Sequence, residues 1–188
     1  MRTKIVLLSA ILSVFSLIGL IYLNPVSAQT SKRVTAQEKA ALTQLVLQDK
    51  EVQEAINDLS ASTDGITKGI TVKKIDLNND GQLEFIVVLN EEGICGAHAN
   101  CPNWVYRKTG SEYQLLLRTF GQQLLLEKPS TNSFRDLRSE GASSAFETDF
   151  SIYKFDGNKY QAKACYSRTY SVKGRKPKIA RIKCEENL

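Results

Sequence analysis

The chain has one histidine, His98, one tryptophan, Trp104, and a single methionine at its start. With only one imidazole there is little from which to build a histidine-based catalytic dyad or a multi-histidine metal site. No Gly-x-Ser-x-Gly elbow, phosphate-cradling glycine loop or His-Glu-x-x-His helix is present. Asn-x-Ser/Thr acceptors are also missing, which fits a bacterial exported chain. The net charge is +5, and two of the positive residues, Arg2 and Lys4, stand at the extreme N-terminus. So small a surplus gives no reason to expect nucleic acid as a partner.

Uncharged apolar sequence is concentrated in one place, Ile5 to Leu23. Arg2 and Lys4 precede it, Pro25 ends it, and Val26-Ser27-Ala28 has the small residues of a cleavage site. The pattern predicts a signal peptide over residues 1–28 and a secreted or periplasmic product. An uncleaved N-terminal membrane anchor is the alternative, because the run approaches the length of a span. No cysteine lies near the cleavage site, which argues against a lipid anchor. Cleavage leaves about 160 residues, one domain by size. Residues 29–34 read as a polar lead-in and 35–188 as a single folded domain.

Cys95, Cys101, Cys165 and Cys184 all follow the leader. An even number in an exported chain predicts disulfides, and four cysteines allow three connectivities. The local pairs Cys95–Cys101 and Cys165–Cys184 are favoured, because short loops close at low entropic cost. Cys95, His98 and Cys101 could also ligate zinc, but no fourth ligand is apparent.

Thr35 and Glu38 have the spacing of a capping box. Leu42, Leu45, Val46, Val52, Ile56 and Leu59 then recur on one helical face, predicting an amphipathic helix that ends before a loop at Ser60–Gly65. Such a helix either covers a sheet or binds a partner. From Ile70 the pattern turns to β. Phe85 to Leu89 is an unbroken apolar run, as in a strand buried on both faces. Further strands are expected around Trp104–Tyr106, Tyr113–Leu117, Leu124–Leu126, Phe150–Phe155 and Tyr160–Cys165, with Asp156-Gly157 as a hairpin turn. Tyr106, Gly110 and Tyr113 align with Tyr153, Gly157 and Tyr160. Asp76-Leu77 with Gly81 aligns with Asp136-Leu137 and Gly141, so the chain reads as two related units. The expected fold is α+β: an N-terminal amphipathic helix packed on antiparallel sheet made of two blade-like hairpin units.

Asp76, Asn78, Asp80, Gln82 and Glu84 put oxygen donors at alternate positions around Gly81, the pattern of a loop that wraps a hard cation such as Ca²⁺. Gln82 would contribute its backbone carbonyl. Without an ion, the same residues make a tight turn held by local hydrogen bonds. An EF-hand would place Glu at the twelfth position, where Val87 stands. The loop resembles the FG-GAP and related calcium loops that join strands in β-propeller proteins, over Ile75 to Leu89. That resemblance implies Ca²⁺ ligands at Asp76, Asn78, Asp80 and Glu84. The wider pattern is similar to a group of small bacterial exported proteins. It comprises the loop, Cys95-Gly96, Asn100-Cys101-Pro102, Trp104, Asp136-Leu137, Phe155 to Tyr160 and Cys165, and implies no particular activity.

Trp104 and Tyr106, with Tyr153 and Tyr160, form either an aromatic platform for sugars or sheet packing. Lys173, Arg175, Lys176, Lys178, Arg181 and Lys183 follow one another without an acid until Glu185. Such a segment is either a lysine-guarded edge strand or a patch for an anionic envelope polymer or acidic protein. The leading expectation is an exported, non-enzymatic binding or structural module with one Ca²⁺ loop. An inhibitor or adaptor acting through the basic segment comes second, and a carboxylate-based hydrolase third.

Overall fold

The computed structural model describes residues 33–59, 62–96, 98–170 and 176–184. The leader, and Lys173 and Arg175 of the basic segment, lie outside the described residues. Among the described residues the chain is mostly β: three short helices precede nine strands. The elements are α1 (Ala36–Leu47), α2 (Lys50–Leu59) and α3 (Thr63–Gly69), then β1 (Ile70–Ile75), β2 (Glu84–Leu89), β3 (Cys101–Thr109) and β4 (Glu112–Gly121). They continue with β5 (Gln123–Thr131), β6 (Phe134–Ser144), β7 (Glu147–Phe155), β8 (Tyr160–Thr169) and β9 (Lys178–Ile182). Two antiparallel sheets result, β1-β2-β3-β4 and β5-β6-β7-β8-β9, each a meander in chain order.

The Thr35–Glu38 capping box forms as the spacing predicts. The single helix expected over the stripe is instead broken at Gln48-Asp49, since the Asp49 carboxylate accepts the Glu51 and Val52 N–H groups and starts α2. Of the expected Ser60–Gly65 loop, Ser60 and Ala61 lie outside the described residues, while Thr63 to Gly65 begin α3, capped by the Ser62 hydroxyl on the Gly65 N–H.

Leu42, Val46 and Val52 cluster with Phe85, Val87, Trp104 and Tyr106. Ile86 and Val105, on the opposite face of the same strands, cluster with Leu137, Tyr153, Phe155 and Tyr160 of the second sheet. Strand β2 is thus buried on both sides, which accounts for its unbroken apolar run.

Strands β2 and β3 of the four-stranded sheet correspond to β6 and β7 of the five-stranded one. Phe85 faces Tyr106 in the first, and Leu137 faces Tyr153 in the second. A register shift falls immediately before each tyrosine, at Val105/Tyr106 and at Ile152/Tyr153. The aromatic hairpins therefore match as aligned in sequence, but the acidic residues do not. Asp136 lies inside β6, next to Leu137, where the first sheet has Glu84 next to Phe85. Its counterpart is Glu84 rather than Asp76, and Asp136 to Gly141 is strand rather than loop.

The correspondence also explains why there are two units. The first sheet turns Ile86 and Val105 toward the second. The matching positions of the second sheet are Arg138 and Ile152. Around them Arg138 pairs with Glu127 at 2.7 Å and Glu140 at 2.6 Å, and Arg168 approaches Glu140 at 3.4 Å. Packing a third sheet there would strip water from this ion network, so the stack ends.

Candidate functional site

The β1–β2 connection brings Asp76, Asn78, Asp80, Gln82 and Glu84 into one loop. Asn79 and Gly81 have positive φ, 60° and 84°, and bend the chain back into β2. The side chains organise the backbone. Asp76 Oδ2 accepts the Gly81 N–H at 2.9 Å, Asn78 Oδ1 the Asp80 N–H at 3.2 Å, and Asp80 Oδ1 the Gln82 N–H at 2.7 Å. Asn78 Nδ2 also donates to Asp80 Oδ2 at 2.7 Å. These are the local bonds of a tight turn.

Glu84 closes the inner end of the loop. It is only 1% exposed, and its Oε2 accepts the Leu77 N–H at 2.9 Å. Arg107 Nε stands 3.7 Å from Oε1. Burial pushes the Glu84 carboxyl above its ordinary range, outweighing the Leu77 N–H and Arg107, and Asp80 pushes the same way. The ring of Phe134 lies 4.5 Å from the Arg107 guanidinium, so this cation is shared with an aromatic wall. Among the described residues, no group of three or more His, Cys, Asp or Glu side chains is gathered at metal-holding distance.

The second sheet ties to this loop through the Arg135 N–H, which donates to the Leu77 carbonyl at 2.8 Å. Asp136 beside it is 2% exposed, with Lys154 at 3.6 Å from Oδ2. Tyr160, next to both Glu84 and Asp136, has its phenol pushed up by burial and then by these two carboxylates.

The cysteines pair locally as favoured, Cys95 with Cys101 and Cys165 with Cys184. Two disulfides fit an oxidising, extracytoplasmic setting. Among the described residues no helix is long and apolar enough to cross a membrane. His98 is exposed on the first disulfide loop, and its cysteine neighbours are spent in the bond, so the zinc alternative loses its ligands. The loop docks on the second sheet: Asn100 Nδ2 donates to the Ala142 carbonyl at 2.8 Å, and Gln122 Nε2 to the His98 carbonyl at 2.7 Å.

The aromatic platform does not form. Trp104 and Tyr106 are buried beside the helices, and Tyr153 and Tyr160 between the sheets. Trp104 Nε1 donates to Asp49 at 3.0 Å. Of the basic segment, Lys176, Lys178, Arg181 and Lys183 are exposed, and every residue of β9 is exposed.

Sequence reasoning missed a cleft of about 150 Å³ where the Cys95–Cys101 loop overhangs β6 and β7. Its lining comes from Asn100, from Phe120 and from Ser139, Gly141 and the Asp149–Tyr153 stretch of the second sheet, which no local motif connects. Compared with family models, curated proteins and solved structures, the chain matches none.

Proposed function

We propose that the protein is an exported, non-enzymatic binding module whose β1–β2 loop, of FG-GAP type, takes up one Ca²⁺ ion. The observation that carries this reading is the Glu84 carboxylate, 1% exposed at the start of β2, which accepts the Leu77 N–H of the loop that bears Asp76 and Asp80 and has Arg107 Nε at 3.7 Å. Hard oxygen donors of this kind fit a hard divalent ion. Asp76, Asn78, Asp80 and Glu84 would hold it through side chains and Gln82 through its carbonyl. The bound ion offsets carboxylate charge that burial otherwise penalises, and so couples the β1–β2 turn to the fold of the first sheet. The N-terminal helical segment acts as a lid on that sheet, and the leader directs export and is then removed.

Thermal denaturation in millimolar Ca²⁺ and in chelator tests it. The melting temperature should rise with Ca²⁺ and fall with chelator, and Asp80→Ala should remove the difference. A melting temperature indifferent to Ca²⁺ would dismiss the ion.

The full exposure of β9 favours a second reading, in which Lys176, Lys178, Arg181 and Lys183 meet an anionic envelope polymer or acidic protein. Binding to an acidic polymer should weaken steeply with salt and disappear in Lys178→Glu/Arg181→Glu. Binding that survives both changes rules the segment out.

A further inference from the structure

The second sheet ends in two unlike edges. At β5 the pairing with β6 is interrupted between Leu126 and Ser130, and Pro129 stands in the gap, so that edge is irregular and lacks a donor. At β9 the pairing with β8 runs unbroken from Lys178 to Ile182, and β9 is the last strand of the sheet.

The ladder fixes where the backbone groups of β9 point. The Tyr170 N–H donates to the Phe146 carbonyl at 2.8 Å, so the backbone groups of Tyr170 turn toward β7. Those of Thr169 turn the other way, toward β9, and the alternation repeats at Ser167 and Cys165. Their partners Lys178, Ala180 and Ile182 therefore spend their N–H and C=O groups on β8. Ile179 and Arg181 turn theirs outward, where no strand pairs with them among the described residues. The Cys165–Cys184 disulfide fastens the end of β9 to β8. The edge is thus extended before any partner arrives, and binding loses little ordering entropy.

The side chains decide what can pair there. Every residue of β9 is exposed. Lys178, Ala180 and Ile182 share one face, and Ile179 and Arg181 the other, so each face offers a cation and an isoleucine. Lys176, Lys178, Arg181 and Lys183 are four cations in a stretch, Lys176 to Cys184, that contains no acid. Two copies meeting edge to edge would bring two such runs together, so charge opposes self-pairing. An acidic strand with β-branched residues meets the opposite condition on both faces.

We propose that β9 takes up an extended acidic segment of another protein as an added strand of the second sheet. The proposal rests on the reading that the basic segment meets an acidic partner, and it supplies the mode. The outward N–H and C=O groups of Ile179 and Arg181 hold the incoming backbone, while Lys178 and Arg181 select its charge.

The test is a titration of the oxidised, ¹⁵N-labelled protein with a blocked peptide of alternating glutamate and valine, about eight residues long. A second peptide has its central glutamate and valine N-methylated, which keeps the charge and removes a donor from each edge of the strand. Dextran sulfate stands for an anionic polymer. The parent peptide should bind saturably and slow hydrogen exchange at the Ile179 and Arg181 amides. The N-methylated peptide should bind about tenfold more weakly. Ile179→Pro removes an N–H that serves no bond to β8, so β9 stays paired, and it should weaken the parent peptide similarly. Should that variant lose β9, the N-methylated peptide still decides the matter. Equal binding of the two peptides, or unchanged affinity in a folded Ile179→Pro, overturns strand addition and leaves the basic segment as a purely electrostatic contact. Binding of dextran sulfate alone overturns it in favour of a polymer. If neither peptide nor dextran sulfate binds, the basic-segment reading falls with it. Protection of Ile179 and Arg181 that grows with protein concentration in the absence of peptide makes a second copy the occupant, and is equally fatal.

Discussion

Asp49 and Arg118, 69 residues apart, meet in a two-point ion pair, Nε to Oδ2 at 2.7 Å and Nη2 to Oδ1 at 3.0 Å. The same carboxylate accepts Trp104 Nε1 and the first N–H groups of α2. One side chain thus begins α2 and fastens its N-terminus to β3 and β4.

Asp49→Asn should cost about 2–4 kcal/mol, because it strips a partly buried guanidinium of its main partner and keeps only neutral bonds. Burial pushes this carboxyl up, but Arg118 and Trp104 outweigh it and hold it below the ordinary 3.8. A lowered folded value contributes stability above the unfolded pKa and loses it as pH falls through the folded one. Urea melts at pH 7 and below pH 4 check both parts: the difference between wild type and variant should shrink in acid. A difference independent of pH would mean that the ion pair contributes little.

Glu84 has the opposite sign. Burial raises its carboxyl above the ordinary 4.5, so its contribution is full below that value and is lost as pH rises through the folded pKa. In chelator, Glu84→Gln should flatten this part of the pH–stability curve, since the amide oxygen still accepts the Leu77 N–H without a buried charge. In Ca²⁺ the order should reverse, with wild type gaining stability at neutral pH and the variant gaining none. A variant that keeps the whole Ca²⁺ response removes Glu84 from the ligand set.

What could be read from the sequence was what short segments decide alone. The Thr35–Glu38 box, the aromatic hairpins, the doubly buried β2 and both short-range disulfides each rest on neighbours within a few residues or one turn. Strand β6 was hidden because its inner face after Leu137 carries Ser139 and Gly141, and its outer face carries Arg138 and Glu140. No apolar alternation survives, and Asp136-Leu137 imitates the start of the calcium loop. The break between α1 and α2 was hidden because the apolar stripe runs through it, and the partners that justify it, Trp104 and Arg118, are distant in sequence. The Asp149 cleft was invisible for the same reason, since Asn100, Phe120 and Asp149 meet only when two sheets and a disulfide loop come together.

Tyr153 and Thr119 join the two sheets through a buried hydroxyl pair at 2.8 Å. Tyr153→Phe should destabilise the fold by about 1–2 kcal/mol, because it leaves the Thr119 hydroxyl without its closest partner. Adding Thr119→Val to that change should recover part of the loss, since removing both polar groups costs less than orphaning one. A double-mutant cycle in urea reads the coupling; strictly additive losses would deny that the pair holds the sheets together.

The two disulfides should differ in what they protect. Chain entropy assigns about 3 kcal/mol to a loop the size of that closed by Cys165–Cys184, and about 2 kcal/mol to the Cys95–Cys101 loop. Those values apply only if the native state keeps its shape after the bond is removed. β9 is exposed at every position and pairs with β8 alone, so little besides the bond holds it. Cys165→Ala/Cys184→Ala should therefore free β9 instead of weakening the whole fold. Hydrogen exchange should show lost protection from Lys178 to Ile182, with a global loss well under 3 kcal/mol. Cys95→Ala/Cys101→Ala removes the smaller loop, yet that loop carries Asn100 onto β6 and the His98 carbonyl onto Gln122. Its loss should approach the full ~2 kcal/mol. If the larger loop instead costs its whole entropic value and β8 loses protection with β9, the terminal strand is an integral part of the second sheet.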